Sequence, residues 1–437
     1  MLRTIDLRGR DMSPTELLSA VPRAAAARDE ALATAARIVH DVAHRGEEAL
    51  REQADQFDHV VDHEIRVPEH HLDEALAALD PRVRSALEDA IGRVRRASAA
   101  QVPAPITTEM APGARVEQRW RPVGRVGVYV PGGKAVYPSS VVMNVVPAQV
   151  AGVAQVALCS PPQRGHDGRV HPSILAAARL LGVTEVYAMG GAGAIGALAH
   201  GVPSLELAPV DVISGPGNNF VALAKRVVAG MVGTDSEAGA TEILIVADDS
   251  ADPRLVAADL VSQAEHDEQA SAVLVTPSST LAAAVVEEVV ARARDTYHSA
   301  RVAQALAGPQ SAVVLVDDLA VATAFSNAYA PEHLELHVAA PRVDDFVNAG
   351  AIFVGAYSPV SLGDYLAGSN HVLPTGGQAR YASGLSASTF LRPQQVIDYD
   401  RAALDDVRSS IVALAEAEAL PAHGEAVTAR FDHPTAP

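Results

Sequence analysis

From residue 124 onward the chain is written in one repeating unit, a short β-branched run followed by a stretch of helix length. Runs at 125–130, 155–159, 185–189, 210–213 and 243–247 alternate with helical stretches at 140–151, 173–181, 194–200 and 218–231. After Asp248 the pattern starts again, with runs at 272–276, 312–316, 334–337 and 351–354 and helical stretches at 255–266, 280–294 and 320–329. Strands separated by helices pair in parallel, because a parallel crossover needs a connection of that length. Two successive sets therefore predict an α/β fold with two Rossmann-like, doubly wound parallel sheets, whose ligands are expected at the carboxyl ends of strands. Composition agrees. Hydrophobic residues make up 49% but aromatics only 4%, so the cores are built from Ala, Val, Leu and Ile, as strands covered on both faces require.

The flanks read differently. Residues 1–23 form an arm punctuated by Pro14 and Pro22, and alanine-rich helical periodicity follows over 24–53. A second helical stretch at 72–99 is interrupted at Asp80-Pro81, and the proline-rich 101–112 reads as a linker. Residues 402–419 form an acidic helix before the polar tail PAHGEAV. An element detached from both sheets is a candidate for packing on a partner subunit. No internal repeat of 20–50 residues stands out.

Lys plus Arg total 34 against 53 acids, a net charge of −19. Such a chain has no bulk attraction for nucleic acid or an anionic membrane, although helix N-termini can still hold a phosphate-bearing cofactor. The one cysteine, Cys159, rules out an intramolecular disulfide and a cysteine zinc site, and in QVALCS it reads as a buried thiol. No signal-peptide core opens the chain and no apolar run approaches about 18 residues, so a soluble cytoplasmic protein is expected.

Several stretches carry chemistry. In VSQAEHDEQ, Gln263 and His266 lie three apart on a helix, half of a four-ligand site with mixed oxygen and nitrogen donors, or a solvated helix end; on the pair alone both readings stand. Gly191, Gly193 and Gly196 satisfy G-x-G-x-x-G between a strand and a helix. No acid caps a second strand about 20 residues later, however, since Asp211 begins one, and close helix–sheet packing needs the same glycines. YVPGG at 129–133 and SGPGNNF at 214–220 are further glycine-rich turns after strands, and three together favour a phosphate-bearing ligand. Glu332 and His333 adjoin at the mouth of a strand, an acid and an imidazole suited to proton transfer. His337 is four further on, but on a strand that is about 13 Å away, so the two histidines do not form a helical zinc pair. Asp364 and His371 sit in a glycine-rich loop, and Glu418 and His423 lie in the tail.

Read together, YVPGG, GPGN with FVALAKR, AGATEILIVAD, SQAEHD, YAPEHLEL, DYLAGSNHVLPT and AHGEAV occur in the order seen in histidinol dehydrogenases. The chain past residue 120 resembles that family throughout. The resemblance implies oxidation of L-histidinol to L-histidine with two NAD+, the last steps of histidine biosynthesis, in an intertwined homodimer with shared active sites. It implies one Zn2+ per subunit on Gln263, His266, Asp364 and His423, the last reaching from the partner subunit, with the metal positioning substrate. His333 is then the general base and Glu332 activates water. Thr241, His371 and Glu418 contact substrate together with the metal residues and His333, Glu418 again coming from the partner. Tyr129, Asn218 and the position of Gly193 contact the dinucleotide.

Two departures stand out. The family pattern GGAQAIA carries a glutamine where this chain has Gly193, and an alanine where it has Gly196. One polar contact to NAD is thereby lost, a matter of about 0.5–1.5 kcal/mol. AGATE replaces AGPSE, so Thr241 keeps a hydroxyl while Ala240 gives up proline rigidity. Two other functions compete: an NAD-dependent dehydrogenase of another small polar alcohol, and an inactive metal-binding homologue. The intact metal and substrate positions oppose the first, and the presence of Glu332 and His333 opposes the second. The expected domains are an arm (1–23), a zinc and substrate domain (24–123 with 240–380), a nucleotide-binding-side domain (124–239) and a tail that packs on the partner (381–437).

Overall fold

The computed structural model describes residues 2–23, 28–132, 136–236 and 239–432. Gly133 of the YVPGG turn and Ala238, which opens AGATE, lie outside the described residues. The chain divides into two compact units, one of Met1–Gln101 with Val123–Phe390 and one of Val102–Pro122 with Leu391–Pro437.

The amino-terminal segment forms β1 (Arg3–Asp6), α1 (Pro14–Ala20), α2 (Arg28–Arg45), α3 (Glu47–Gln53), α4 (Glu69–Ala78) and α5 (Pro81–Ala100). A hairpin follows, β2 (Ile106–Ala111) and β3 (Ala114–Pro122). The first βα set is β4 (Arg125–Tyr129), α6 (Pro138–Ala151), β5 (Gln155–Ser160), α7 (Pro172–Leu180), β6 (Glu185–Ala188), α8 (Gly191–His200), β7 (Val212–Ser214), α9 (Asn219–Val228) and β8 (Gly233–Thr234). The second is β9 (Glu242–Ala247), α10 (Pro253–Ala264), β10 (Ser271–Thr276), α11 (Ser279–Asp295), α12 (Ser299–Ala307), β11 (Ala312–Leu315), α13 (Leu319–Tyr329), β12 (His333–His337), β13 (Ala351–Val354) and α14 (Val360–Tyr365). The chain closes with β14 (Leu391–Tyr399), α15 (Arg401–Ala417) and α16 (Pro421–Thr428).

Both βα sets form parallel sheets, as the alternation predicts. Their strand orders are β6-β5-β4-β7-β8 and β1-β11-β10-β9-β12-β13. Apart from β1, each sheet reads third-second-first-fourth-fifth in its own sequence order, the arrangement of a doubly wound dinucleotide fold. The fold is thus doubled in topology. The arm is a correction in part, since its alternating piece is β1, paired in parallel with β11 on the edge of the second sheet.

The central strands are apolar on both faces. Ile243, Ile245 and Leu274 pack with Val256, Leu260 and Val285 on one side, while Leu244, Val246 and Val273 pack with Phe325 and Tyr329 on the other. Strand alternation sorts one continuous apolar run into two cores. The lead-in helices go elsewhere than expected: Val39, Val42 and Leu50 share a core with Tyr129, Ile195 and Leu198 of the first sheet's half. The α2–α3 segment therefore packs with the first sheet's half, because α2 and α3 offer their apolar stripe to α8.

The segment expected as a linker is strand β2, and it pairs with β3, which pairs in turn with β14. These antiparallel strands, with α15 and α16, make up the second unit. Every residue of β2 is exposed, so no buried face imposes the alternation that would have marked it as a strand.

One buried ion pair fixes the β7–α9 turn. Lys225 (2% exposed) contacts Asp235 (4%) and donates to the Gly215 carbonyl, while Asp235 accepts from the Gly215 N–H at 2.8 Å. Gly215 has φ +117°, and a β-carbon there would collide with the Tyr129 carbonyl. Removing one member leaves a buried uncompensated charge. Lys225→Met is expected to lower stability by about 3–5 kcal/mol in urea denaturation, whereas loss of less than about 1 kcal/mol would show the pair to be marginal.

Candidate active site

The centre of the site is a chain of hydrogen bonds around the first residue of β9. Gln263, on the last turn of α10, donates its Nε2 to Thr241 Oγ1 at 2.6 Å. Thr241 donates to Glu332 Oε2 at 2.6 Å, and the Glu242 N–H reaches the same oxygen at 2.9 Å. The Thr241 proton is thus committed to Glu332, so its oxygen accepts from the Gln263 amide nitrogen. That fixes the amide's orientation and leaves Gln263 Oε1 buried with no partner among the described residues. An unpaired buried acceptor is costly unless a ligand meets it.

His333 shows the same pattern. Its Nδ1 lies 3.0 Å from the Glu242 carbonyl, which can only accept, so Nδ1 carries the proton. Nε2 is then an unprotonated, buried nitrogen without a partner among the described residues. Burial holds the imidazole's pKa below its usual value, so at neutral pH this nitrogen keeps its lone pair. Burial drives Glu332 the opposite way, up to about 8. An acid and a base pushed apart by one environment are the makings of stepwise proton transfer.

Other expected residues converge on His333. Asp364 of α14 lies close enough to favour its charged form, and His266 and His371 close enough to be repelled by it. Burial raises the Asp364 carboxyl to about 6, a penalty that a cation beside it would relieve. His371 places Nδ1 2.9 Å from the Asp364 carbonyl and Nε2 3.2 Å from Ser140 Oγ, and burial lowers it to about 4. A buried amide oxygen without a partner, a desolvated carboxyl and neutral imidazoles are donors that suit a borderline divalent cation such as zinc. Glu418, at the end of α15, and His423, in α16, belong to the second unit, where both are exposed.

The location corrects one expectation. Thr241 precedes β9, His333 opens β12 and His266 precedes β10, so these residues sit at the amino ends of the second sheet's strands, not the carboxyl ends. The carboxyl ends that matter are those of the first sheet. Ser140, in the first turn of α6 after β4, meets His371, and Asn370 Nδ2 donates to the Met143 carbonyl at 2.6 Å. One sheet's amino edge therefore faces the other's carboxyl edge.

At that carboxyl edge lie the expected dinucleotide residues. Tyr129 is buried, and its hydroxyl accepts from the Gly191 N–H at 3.2 Å. Asn218 caps α9, its Oδ1 accepting from the N–H groups of Phe220 and Val221, which leaves Nδ2 as its free donor. Ser160 and Ser214 end β5 and β7 with fully buried hydroxyls that have no partner among the described residues. Unpaired hydroxyls at the ends of strands flanking β4 fit a polar ligand there. The glycines of G-x-G-x-x-G have three separate causes. Gly191 adopts φ +61°; a β-carbon at Gly193 would run into Gln53 Oε1, and one at Gly196 would come within 3.1 Å of Val39 Cα. The last is close helix packing, with no ligand involved.

The sequence missed a polar seam. Asp259 and Gln263 lie four apart on one face of α10, with His266 just past its end, while His333, Glu335 and His337 share one face of β12 at spacing two. His337 Nε2 lies 3.3 Å from Glu335 and 3.9 Å from Asp259. Ligand atoms of these three residues fall within 4.8 Å of one another, a donor set with metal-binding chemistry separate from the expected one. Glu335 also accepts from the Val360 N–H, and its bond to Asp259, with burial, raises the Asp259 carboxyl. Burial, and then the neighbouring Glu335 carboxyl, push the Asp259 carboxyl up to about 7, and His337 is the imidazole that faces both acids. The signal for it was the H-L-E-L-H alternation, legible only once α10 is known to lie over β12.

Comparison with known proteins gives one answer. Residues 21–431 match the family model described as histidinol dehydrogenase. The histidinol dehydrogenase of Leifsonia xyli subsp. xyli is 62% identical over 99% of both chains. That of Mycobacterium tuberculosis is 55% identical over 99% of this chain and 98% of its own. The crystal structure of the Elizabethkingia anophelis histidinol dehydrogenase superposes with a TM-score of 0.91 at 32% identity, over 98% of each chain.

The buried acid at the centre gives a direct test. With no ligand added, the Glu332 carboxyl is expected to be protonated at pH 7 and to ionise near pH 8, as a carbonyl-stretch band in difference infrared spectra that Glu332→Gln lacks. Because its folded value lies above the ordinary 4.5, ionisation opposes the fold, and stability falls as pH rises from that value toward 8. Ionisation below pH 5 would refute the environment described.

Proposed function

Because the chain belongs to the histidinol dehydrogenase family, we propose that it oxidises L-histidinol through L-histidinal to L-histidine with two NAD+ and a bound zinc. The carrying observation is the pair of buried orphan atoms, Gln263 Oε1 and His333 Nε2, one an oxygen donor for a cation and the other a neutral base. Gln263, His266 and Asp364, with His423 contributed by the partner subunit of a homodimer, would hold Zn2+, whose chemistry is to fix the substrate's imidazole and amine. Tyr129, Asn218 and the turn at Gly193 would hold NAD+, which accepts the hydride. Among the described residues no helix is long and apolar enough to cross a membrane, and a biosynthetic role of this kind fits the cytoplasm.

In this reading His333 Nε2 takes the alcohol proton as hydride departs, and its Nδ1–H remains on the Glu242 carbonyl, which steadies the imidazolium that forms. Glu332, once ionised, removes a proton from the water that adds to the aldehyde, while His333 Nε2 returns its proton to the aldehyde oxygen and is free again as a base. His333 then takes the hydrate's hydroxyl proton in the second oxidation. Thr241 keeps Glu332 and Gln263 aligned through its single hydroxyl, while His371 and the partner-borne Glu418 complete the contacts to substrate. Holding the reacting carbon against Nε2 is where most of the rate arises.

Two NADH per L-histidinol are expected, with turnover abolished by a chelator, restored by zinc and reduced by about 10²-fold or more in His333→Ala. One NADH per substrate, or turnover of a different alcohol with L-histidinol inert, would overturn the assignment. His266→Ala and His423→Ala homodimers are each expected to be inactive, while a mixed dimer regains about one site through the shared arrangement. A mixed dimer with no activity sinks the claim that sites are shared.

A further inference from the structure

Gln53 stands out at the carboxyl edge of the first sheet. It ends α3 and leads directly into a π-helical turn, Ala54–Asp58. Such turns are rare and recur where a backbone is shaped around a function. The turn brings Asp58 close enough to Tyr129 to oppose ionisation of its hydroxyl. That hydroxyl holds the first N–H of α8, so this segment borders the start of α8. No side chain caps α8, which leaves its leading N–H groups for a ligand. Gln53 Oε1 fills the space that a β-carbon at Gly193 would take. A half-buried amide with no hydrogen-bond partner among the described residues thus lies over the first turn of a helix in which the N–H groups of Ala192 and Gly193, unlike that of Gly191, are not taken up by a described residue.

We propose that Gln53 is a dinucleotide-binding residue, its carboxamide supplying the polar contact at the first turn of α8 that glycine at 193 cannot make. The two positions form one unit. Glycine at 193 admits the Gln53 amide, and any side chain there would expel it. This inference rests on the reading that NAD+ lies at this edge.

The test is NADH binding to the zinc-loaded dimer, followed by enhanced NADH fluorescence and by calorimetry, with L-histidinol binding measured alongside. Gln53→Ala and Gln53→Glu are expected to weaken NADH binding about two- to tenfold, the worth of one hydrogen bond, and to leave L-histidinol binding and the melting temperature unchanged. Gly193→Gln alone should weaken it by crowding Gln53, and the Gln53→Ala, Gly193→Gln double variant should recover affinity, which a merely structural role does not produce. Asn218→Gly, which costs a helix cap only a few tenths of a kcal/mol, is the reference for the site itself. If it weakens NADH binding while both Gln53 variants do not, the Gln53 contact is wrong. If none of the three weakens it, the dinucleotide lies elsewhere, and both readings fall. Equal loss of both ligands together with a lowered melting temperature also overturns the proposal.

Discussion

Glu242 is the residue on which the site depends. It opens β9, the central strand of the second sheet, and each of its polar groups is engaged. Its N–H holds Glu332, its carbonyl holds His333, and its carboxylate is held by Arg23 at 2.6 Å and the Gly376 N–H at 3.2 Å. The carboxylate is almost wholly buried, and burial raises its pKa against the pull of Arg23. Arg23 is itself pinned to the Tyr329 carbonyl and lies 4.1 Å above the Tyr329 ring. Acid and base are thus set by one backbone position, and that position is set by an arginine from the amino-terminal arm. A buried charge kept in place by a single partner is a strong constraint, because losing the partner strands the charge.

The orientation of groups follows from that constraint with little freedom left over. A carbonyl can only accept, so His333 has one tautomer; a threonine has one proton, so Gln263 has one amide orientation. These two choices leave one nitrogen and one oxygen buried with no partner among the described residues. Neither side chain is remarkable as a residue type, and it is the neighbours that make each of them reactive.

The sheets were legible in the chain because strands buried on both faces must be apolar throughout, and β9, EILIVA, and β10, SAVLVT, announce themselves. β2 and β14 were not, because strands exposed along most of their length obey no pattern. The doubling of strand order was also hidden, since topology constrains the spacing of elements and leaves the side chains free. At the site, Glu332, His333, Gln263 and Asp364 were readable as motifs. Glu242, Arg23, Ser140 and Gln53 were not, because each acts through a contact made far away in sequence.

The facing of opposite sheet edges has a consequence for traffic. Whatever is gripped by the amino edge of the second sheet is anchored to β9, β12, α10 and α14, whereas whatever rests on the carboxyl edge of the first is anchored to β4, α8 and α9. The two grips share a boundary at Ser140 and His371 but no strand. A molecule resting on one edge can therefore leave and be replaced without moving the strands that grip a molecule on the other.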